Sequence, residues 1–343
     1  MFLKRTARHE AAPVSWKRTT RTRWRRQCFE YHPVFGWWHI PNMDARLMLG
    51  QTYHRFQTNS TGMRDSREFT REIPAGKTRI IALGDSYTAG DGVSNDRRAT
   101  SQIEARHPDL EILNFGLNGS GTDQQLLIFE TLAKSYEADA YIWFFCVENI
   151  ARNKYTCFPS FNWHENREVL RPKPFFELTE DGLKLSNVPV PTEMRTAETR
   201  GDWAYTFPYL PEHPSDPYAI YSKPDSSHWL LMKAIISRFL AQVAPKPVFL
   251  VPLPMYQHYL GEAPATYLER FKELRDPDTR VHVLDVLPAF MSEHPSNRQN
   301  FRFPDDPHYT DFAHQRLATS LDYMMTWLEP GLMKSKINGE TAS

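Results

Sequence analysis

Residues Arg79-Ile80-Ile81-Ala82-Leu83-Gly84-Asp85-Ser86-Tyr87-Thr88-Ala89-Gly90 decide how this chain is read. The first five form an apolar run of the length and character of a buried strand. Ser86 follows at once, flanked by Gly84 and Gly90, on a sharp turn that exposes its hydroxyl and a backbone N–H. A serine hydroxyl is a weak nucleophile until a base takes its proton and a third group orients that base. The chain offers candidates for both near its far end, in Asp305-Asp306-Pro307-His308.

Outward from residue 78, apolar strand candidates at 78–84, 111–115, 140–147, 247–253 and 281–286 alternate with helical stretches. A helix opens at Thr122, where Thr122-Asp123-Gln124-Gln125 matches a capping box ahead of Leu126, Leu127 and Phe129. Another spans about 227–244, with Leu231, Ile235, Phe239 and Val243 at four-residue spacing, and stops at Pro245 and Pro247. The last runs from about Asp311 to Leu328. Buried strands alternating with helices predict a three-layer α/β/α sandwich around a five-stranded parallel sheet. Residues 28–75 are aromatic-rich without a sustained period, and predict an irregular extension held on the main domain by its aromatics. Residues 151–226 interrupt the alternation with prolines and aromatics, among them Phe158, Trp163, Phe175, Phe176, Trp203, Tyr205 and Tyr209. That insertion reads equally as a structural flap and as a wall of the ligand site, since insertions after parallel strands line such sites. The domain itself is read as 76–330, followed by a flexible tail at 331–343.

Sites in open parallel sheets form beyond the carboxyl ends of the strands. Ser86, the stretch Asn114-Phe115-Gly116-Leu117-Asn118-Gly119, the stretch Val147-Glu148-Asn149, and Asp305 to His308 all fall there. Acyl transfer needs a nucleophile, a base, an orienting carboxylate and donors for the oxyanion, and each has a candidate.

In these blocks and their order the chain resembles the SGNH hydrolases, the GDSL esterase/lipase superfamily, over roughly residues 76–328. The resemblance implies Ser86 as nucleophile, His308 as base and Asp305 as its orienting partner, with Asp306 at the wrong spacing. It further implies an oxyanion hole from the N–H groups of Ser86 and Gly119 and the Asn149 side chain. The third block departs from the family's Gly-x-Asn-Asp, reading Val147-Glu148-Asn149-Ile150. Aligned without a gap, Glu148 would take the donor's place, and a carboxylate donates only when protonated. Phe35-Gly36-Trp37, Pro41-Asn42 and Asn59-Ser60-Thr61-Gly62-Met63-Arg64-Asp65 resemble segments of bacterial members associated with surface polysaccharides. The implied activity is hydrolysis of a small acyl ester, such as acetate, on a sugar or polysaccharide, without metal or organic cofactor. An O-acyltransferase and a non-catalytic glycan-binding protein are the alternatives on the same scaffold. Asp85 reads as a structural residue of the turn, and His314 as a packing or capping residue.

With 343 residues, 41 Lys and Arg against 41 Asp and Glu, the chain has no net field favouring nucleic acid. Locally, residues 1–27 hold nine basic residues against Glu10 alone, which reads as a solvated, disordered arm, with an anionic surface contact or a transit peptide as sharper readings. No apolar run reaches bilayer length, no apolar secretory segment opens the chain, and a cytoplasmic location is the expectation. Cys28, Cys146 and Cys157 have the spacing of neither a disulfide framework nor a metal cluster, and Cys146 reads as a core residue.

Overall fold

A computed structural model describes residues 28–49, 52–162, 167–193, 195–196 and 217–333. The basic arm, Trp163, Trp203, Tyr205, Tyr209 and residues 334–343 lie outside them.

The chain enters through two antiparallel hairpins, β1 (Phe29–His32) with β2 (Gly36–His39) and β3 (Asp44–Leu49) with β4 (Thr52–Gln57). The extension is therefore more regular than its sequence suggested. In β3 the alternation is real, with Ala45, Leu47 and Leu49 buried, but exposed-face Met48 masks it; β2 is buried at every position.

The five predicted strands all form: β5 (Thr78–Leu83), β6 (Leu110–Asn114), β7 (Ala140–Cys146), β12 (Val248–Leu253) and β13 (Val281–Val283). They pair in parallel in the order β6-β5-β7-β12-β13. Every residue of β5, β7 and β12 is buried, as a sheet covered on both faces requires. On one side α2 (Ala99–Glu104) packs with the long helix α5 (Asp311–Leu328); on the other, α3 (Thr122–Thr131) packs with α4 (Ser227–Val243). Leu231, Ile235, Phe239 and Val243 form the buried stripe of α4. Phe239 packs against Phe129 and Trp143, with ring centroids 4.8 Å apart in each pair. Cys146 is buried in β7 and the three cysteines are unbridged.

Two local expectations shift. The cap of α3 is Gly121 and not Thr122, because the side chain of Gln124 turns back to accept the Gly121 N–H at 3.2 Å. Pro330–Met333 form a short helix that buries Met333, so the segment 331–343, read as a flexible tail, begins in regular structure.

The inserted segment between β7 and α4 contributes two more hairpins, β8 (Cys157–Asn162) with β9 (Arg167–Pro172) and β10 (Phe175–Thr179) with β11 (Gly182–Ser186). Phe176 joins the main core, and the Phe158 ring lies 5.7 Å from Trp37 of the extension. These two aromatics do structural work. The chain leaves β5 to build β6 on one side and then crosses to β7 on the other. That reversal opens a crevice at the carboxyl end of β5, directly ahead of Ser86.

Candidate active site

Ser86 opens the one-turn helix α1 (Ser86–Ala89), and the turn is built to hold it there. A side chain at Gly84 would collide with Thr88 Oγ1, so only glycine lets the strand end so close to the helix. Asp85 caps the turn, its Oδ1 accepting the Tyr87 N–H at 3.0 Å. Its other oxygen accepts from the Asn149 side-chain amide, tying the end of β5 to the segment after β7. The structural reading of Asp85 thus extends to a link between two blocks of the site. The Ser86 N–H, at the first helical position, has no intrahelical acceptor.

His308 reaches Ser86 from a short antiparallel hairpin, β14 (Arg302–Phe303) with β15 (Asp306–Tyr309). Its Nε2 lies 2.7 Å from Ser86 Oγ. Its Nδ1 lies 2.6 Å from Oδ1 of Asp306, which also accepts the His308 backbone N–H at 2.9 Å. The sequence-based choice of Asp305 is corrected here. Side chains two apart on a strand share a face, so Asp306 and His308 point together, while exposed Asp305 sits in the turn before the strand. Tyr87 steadies the hairpin, donating its hydroxyl to Pro307 O at 2.9 Å, with its ring 4.9 Å from that of His308.

The charges around His308 favour its proton. Burial alone would lower its pKa, but the hydrogen bond and charge of Asp306, with Asp91 and Asp85, outweigh this and raise it above 6.5. Asp91 Oδ2 is 3.9 Å from Nε2, on the side facing Ser86. Burial raises the carboxyl pKa values of Asp85, Asp91 and Glu148, opposed in each case by nearby cations. Asp306 goes the other way: desolvation resists its ionisation, yet the bond to His308 holds its pKa below the ordinary value.

The second loop presents Gly119 at φ +76°, a left-handed conformation that suits glycine; a Cβ there would stand 2.7 Å from Phe158 Cε1. Asn114 anchors this loop to the Ser86 turn, donating to Thr88 O at 2.8 Å and accepting the Gly116 N–H at 2.9 Å. Trp143 Nε1 donates to Gln125 at 2.7 Å, which bonds Ser120 and so connects the core to the loop. Of the competing third-block residues, Asn149 holds its amide against Asp85, and Glu148 lies close enough for its charge to be felt by Asp85 and His308. His314 is buried and accepts the Ala99 N–H at 3.3 Å, as a packing and capping residue does.

Several contributors carried no site role in the sequence. Arg64 is fully buried and donates to the carbonyls of Ala89, Gly90 and Val93, bracing the far end of α1. Trp37 Nε1 donates to Asn118 O at 2.9 Å, and the Asn118 amide donates to Asp91. Arg64 and Trp37 lie in the stretches singled out in the extension, where their hydrogen bonds hold the Ser86 turn and the Gly119 loop. Lys173 and Asp123 form a fully buried ion pair beneath the Gly119 loop, with Lys173 also donating to Pro174 O at 2.9 Å and Tyr155 O at 3.1 Å.

No family model matches the chain, and no curated protein matches it. Among solved structures it is similar to a lipase/acylhydrolase from Enterococcus faecalis, at 15% identity, 76% coverage of this chain, all of that one, and a TM-score of 0.42. A lipolytic protein of the G-D-S-L family from Veillonella parvula is similar at 12% identity, with 73% and 98% covered and a TM-score of 0.40. A two-domain esterase active on acetylated mannans is similar at 15% identity, with 79% of this chain and 52% of that one covered, and a TM-score of 0.40. Likenesses this distant do not say what the present chain acts on.

Proposed function

We propose that the chain is a serine-dependent ester hydrolase of the SGNH type, removing a small acyl group such as acetyl from a sugar or polysaccharide. The observation that carries this reading is the continuous relay from Ser86 Oγ through His308 to Asp306, at 2.7 and 2.6 Å. Such a relay has one familiar use, which is to make a serine oxygen nucleophilic.

In the proposed reaction Ser86 Oγ attacks the ester carbonyl while His308 Nε2 takes its proton. Asp306 holds the imidazole with Nδ1–H directed at its carboxylate and stabilises the imidazolium that forms. The N–H groups of Ser86 and Gly119 and the Asn149 amide are the donors for the tetrahedral oxyanion. His308 returns its proton to the leaving alcohol oxygen as the C–O bond breaks, leaving Ser86 acylated. Water, deprotonated by the same imidazole, then attacks the acyl-enzyme and releases the carboxylic acid and free serine.

An assembled relay counts against the non-catalytic alternative. The test is labelling by a fluorophosphonate probe and hydrolysis of p-nitrophenyl acetate, with Ser86→Ala and His308→Ala beside the wild type. Both activities are expected in the wild type and in neither variant. A folded wild type inert to both reagents would sink the proposal. Carrying out the acetylated-sugar reaction with a sugar acceptor present, and finding the acyl group on that acceptor, would make the chain an acyltransferase instead.

A further inference from the structure

A cavity of about 810 Å³ lies between the β3–β4 hairpin of the extension and the hairpin that carries His308. One wall includes Gly92, the residue after Asp91, and another includes Phe303 and Pro304, just ahead of Asp306. The cavity therefore adjoins the relay without containing it. Its floor is apolar, since Leu49, Val93 and Phe303 form a small buried cluster there.

The rim is different. Tyr53 is 56% exposed, and the Arg46 guanidinium backs one face of its ring at 4.3 Å, which fixes the ring as a platform. Gln299 and Asn300 bring exposed carboxamides, which can both donate and accept. Arg97 and Arg302 line the cavity against the single carboxylate of Asp311, and burial holds His54 neutral by lowering its pKa to about 3. Arg97 is exposed and reaches Asp96 and Asp311 only at 3.4 and 3.5 Å, contacts that water competes for easily. Arg302 spends Nη1 on the Phe303 and Pro304 carbonyls, and its buried Nε has no hydrogen-bond partner among the described residues.

An aromatic platform, amides and an excess of guanidinium groups suit a hydroxyl-rich ligand that carries carboxylates. The reacting centre has the opposite balance, with the four carboxylates of Asp85, Asp91, Glu148 and Asp306 set against Arg64 and Arg152. We propose that this groove binds the polymer part of the substrate, an acidic sugar chain whose carboxylates meet Arg97 and Arg302. The uncharged ester of a neighbouring unit is then presented to Ser86. The separation of sign would orient the chain, because a carboxylate shifted into the centre meets repulsion. This inference rests on the reading of the chain as an ester hydrolase.

Two measurements separate the two. In kinetics, O-acetylated oligogalacturonate, O-acetylated manno-oligosaccharide and p-nitrophenyl acetate are compared in the wild type, Tyr53→Ala and Arg97→Gln. The ratio of kcat/KM for the acidic oligosaccharide to that for p-nitrophenyl acetate is expected to fall about tenfold in each variant, mainly through KM. The neutral oligosaccharide is expected to be the poorer substrate. An unchanged ratio, or preference for the neutral oligosaccharide, would overturn the proposal. In calorimetry, unacetylated oligogalacturonate is titrated into Ser86→Ala and into its Tyr53→Ala double variant. Binding that the second change weakens supports the groove even if no ester is ever cleaved. Absence of binding overturns it even if p-nitrophenyl acetate is turned over.

Discussion

Exchanging one carboxylate for an amide at Asp306, and separately at Asp305, tests the site's central geometry. Asp306 Oδ1 stands 2.6 Å from His308 Nδ1 and 2.9 Å from the His308 backbone N–H, so it fixes both the ring and the strand beneath it. In Asp306→Asn an amide N–H can face Nδ1, which moves the ring proton to Nε2, the atom that must accept from Ser86 Oγ. The ion pair that stabilises the imidazolium is lost as well. Exchanges of this kind in serine triads cost about 10⁴-fold in kcat, or about 5.5 kcal/mol of transition-state stabilisation. Asp305 is exposed in the preceding turn, and Asp305→Asn should stay within about twofold, the range of ordinary surface changes. Rates of p-nitrophenyl acetate hydrolysis and of fluorophosphonate labelling read the effect, with thermal melting to verify that each variant is folded. If Asp305→Asn lost activity while Asp306→Asn kept it, the reasoning from strand periodicity would be wrong.

Three more outcomes follow from the same geometry. His308 must be neutral to act, and its raised pKa means that kcat/KM climbs with pH through a value above 6.5; Asp91→Asn removes one of the anions holding that proton, so the acid limb should move to lower pH, and an unmoved limb would count against the contact. Asn149→Ala should cost about 10²-fold in kcat with Glu148→Gln near wild type, whereas the opposite pattern would make residue 148 the oxyanion donor's place. Lys173→Met strands the buried Asp123 carboxylate and should cost about 3–5 kcal/mol in urea unfolding; adding Asp123→Leu should recover a large part, and a double variant no better than the single would refute the pairing.

The five strands were legible because each is an apolar run bounded by turn residues, and a parallel sheet buried on both faces demands that pattern. Ser86 and His308 were legible because their neighbours constrain them locally: Gly84 by a steric limit, and the His308 block by its carboxylates. Which carboxylate serves was not. Asp305 and Asp306 differ only in whether the residues before His308 turn or extend, and that depends on pairing with Arg302 and Phe303. Arg64 illustrates a second limit. Three of its four acceptors are backbone carbonyls, which carry no signature in the sequence, so the residue's type alone gives no hint that it will brace the helix that opens at Ser86.

Asp85 ties the first block of the site to the third. Its two oxygens have separate duties, Oδ1 on the Tyr87 N–H and Oδ2 on the Asn149 amide. An ionised carboxylate only accepts, so it dictates that the nitrogen end of Asn149, and not its oxygen, faces Asp85. An amide nitrogen carries two hydrogens, and Asp85 engages one. The second is left on a group whose orientation that bond holds, and in the proposed reaction it is the hydrogen offered to the oxyanion. Glu148 has no such preparation, and burial among Asp85 and His308 leaves its protonation to its surroundings. In the proposed reaction, the residue that looks merely structural in the Gly-Asp-Ser turn thereby sets the polarity of the oxyanion side.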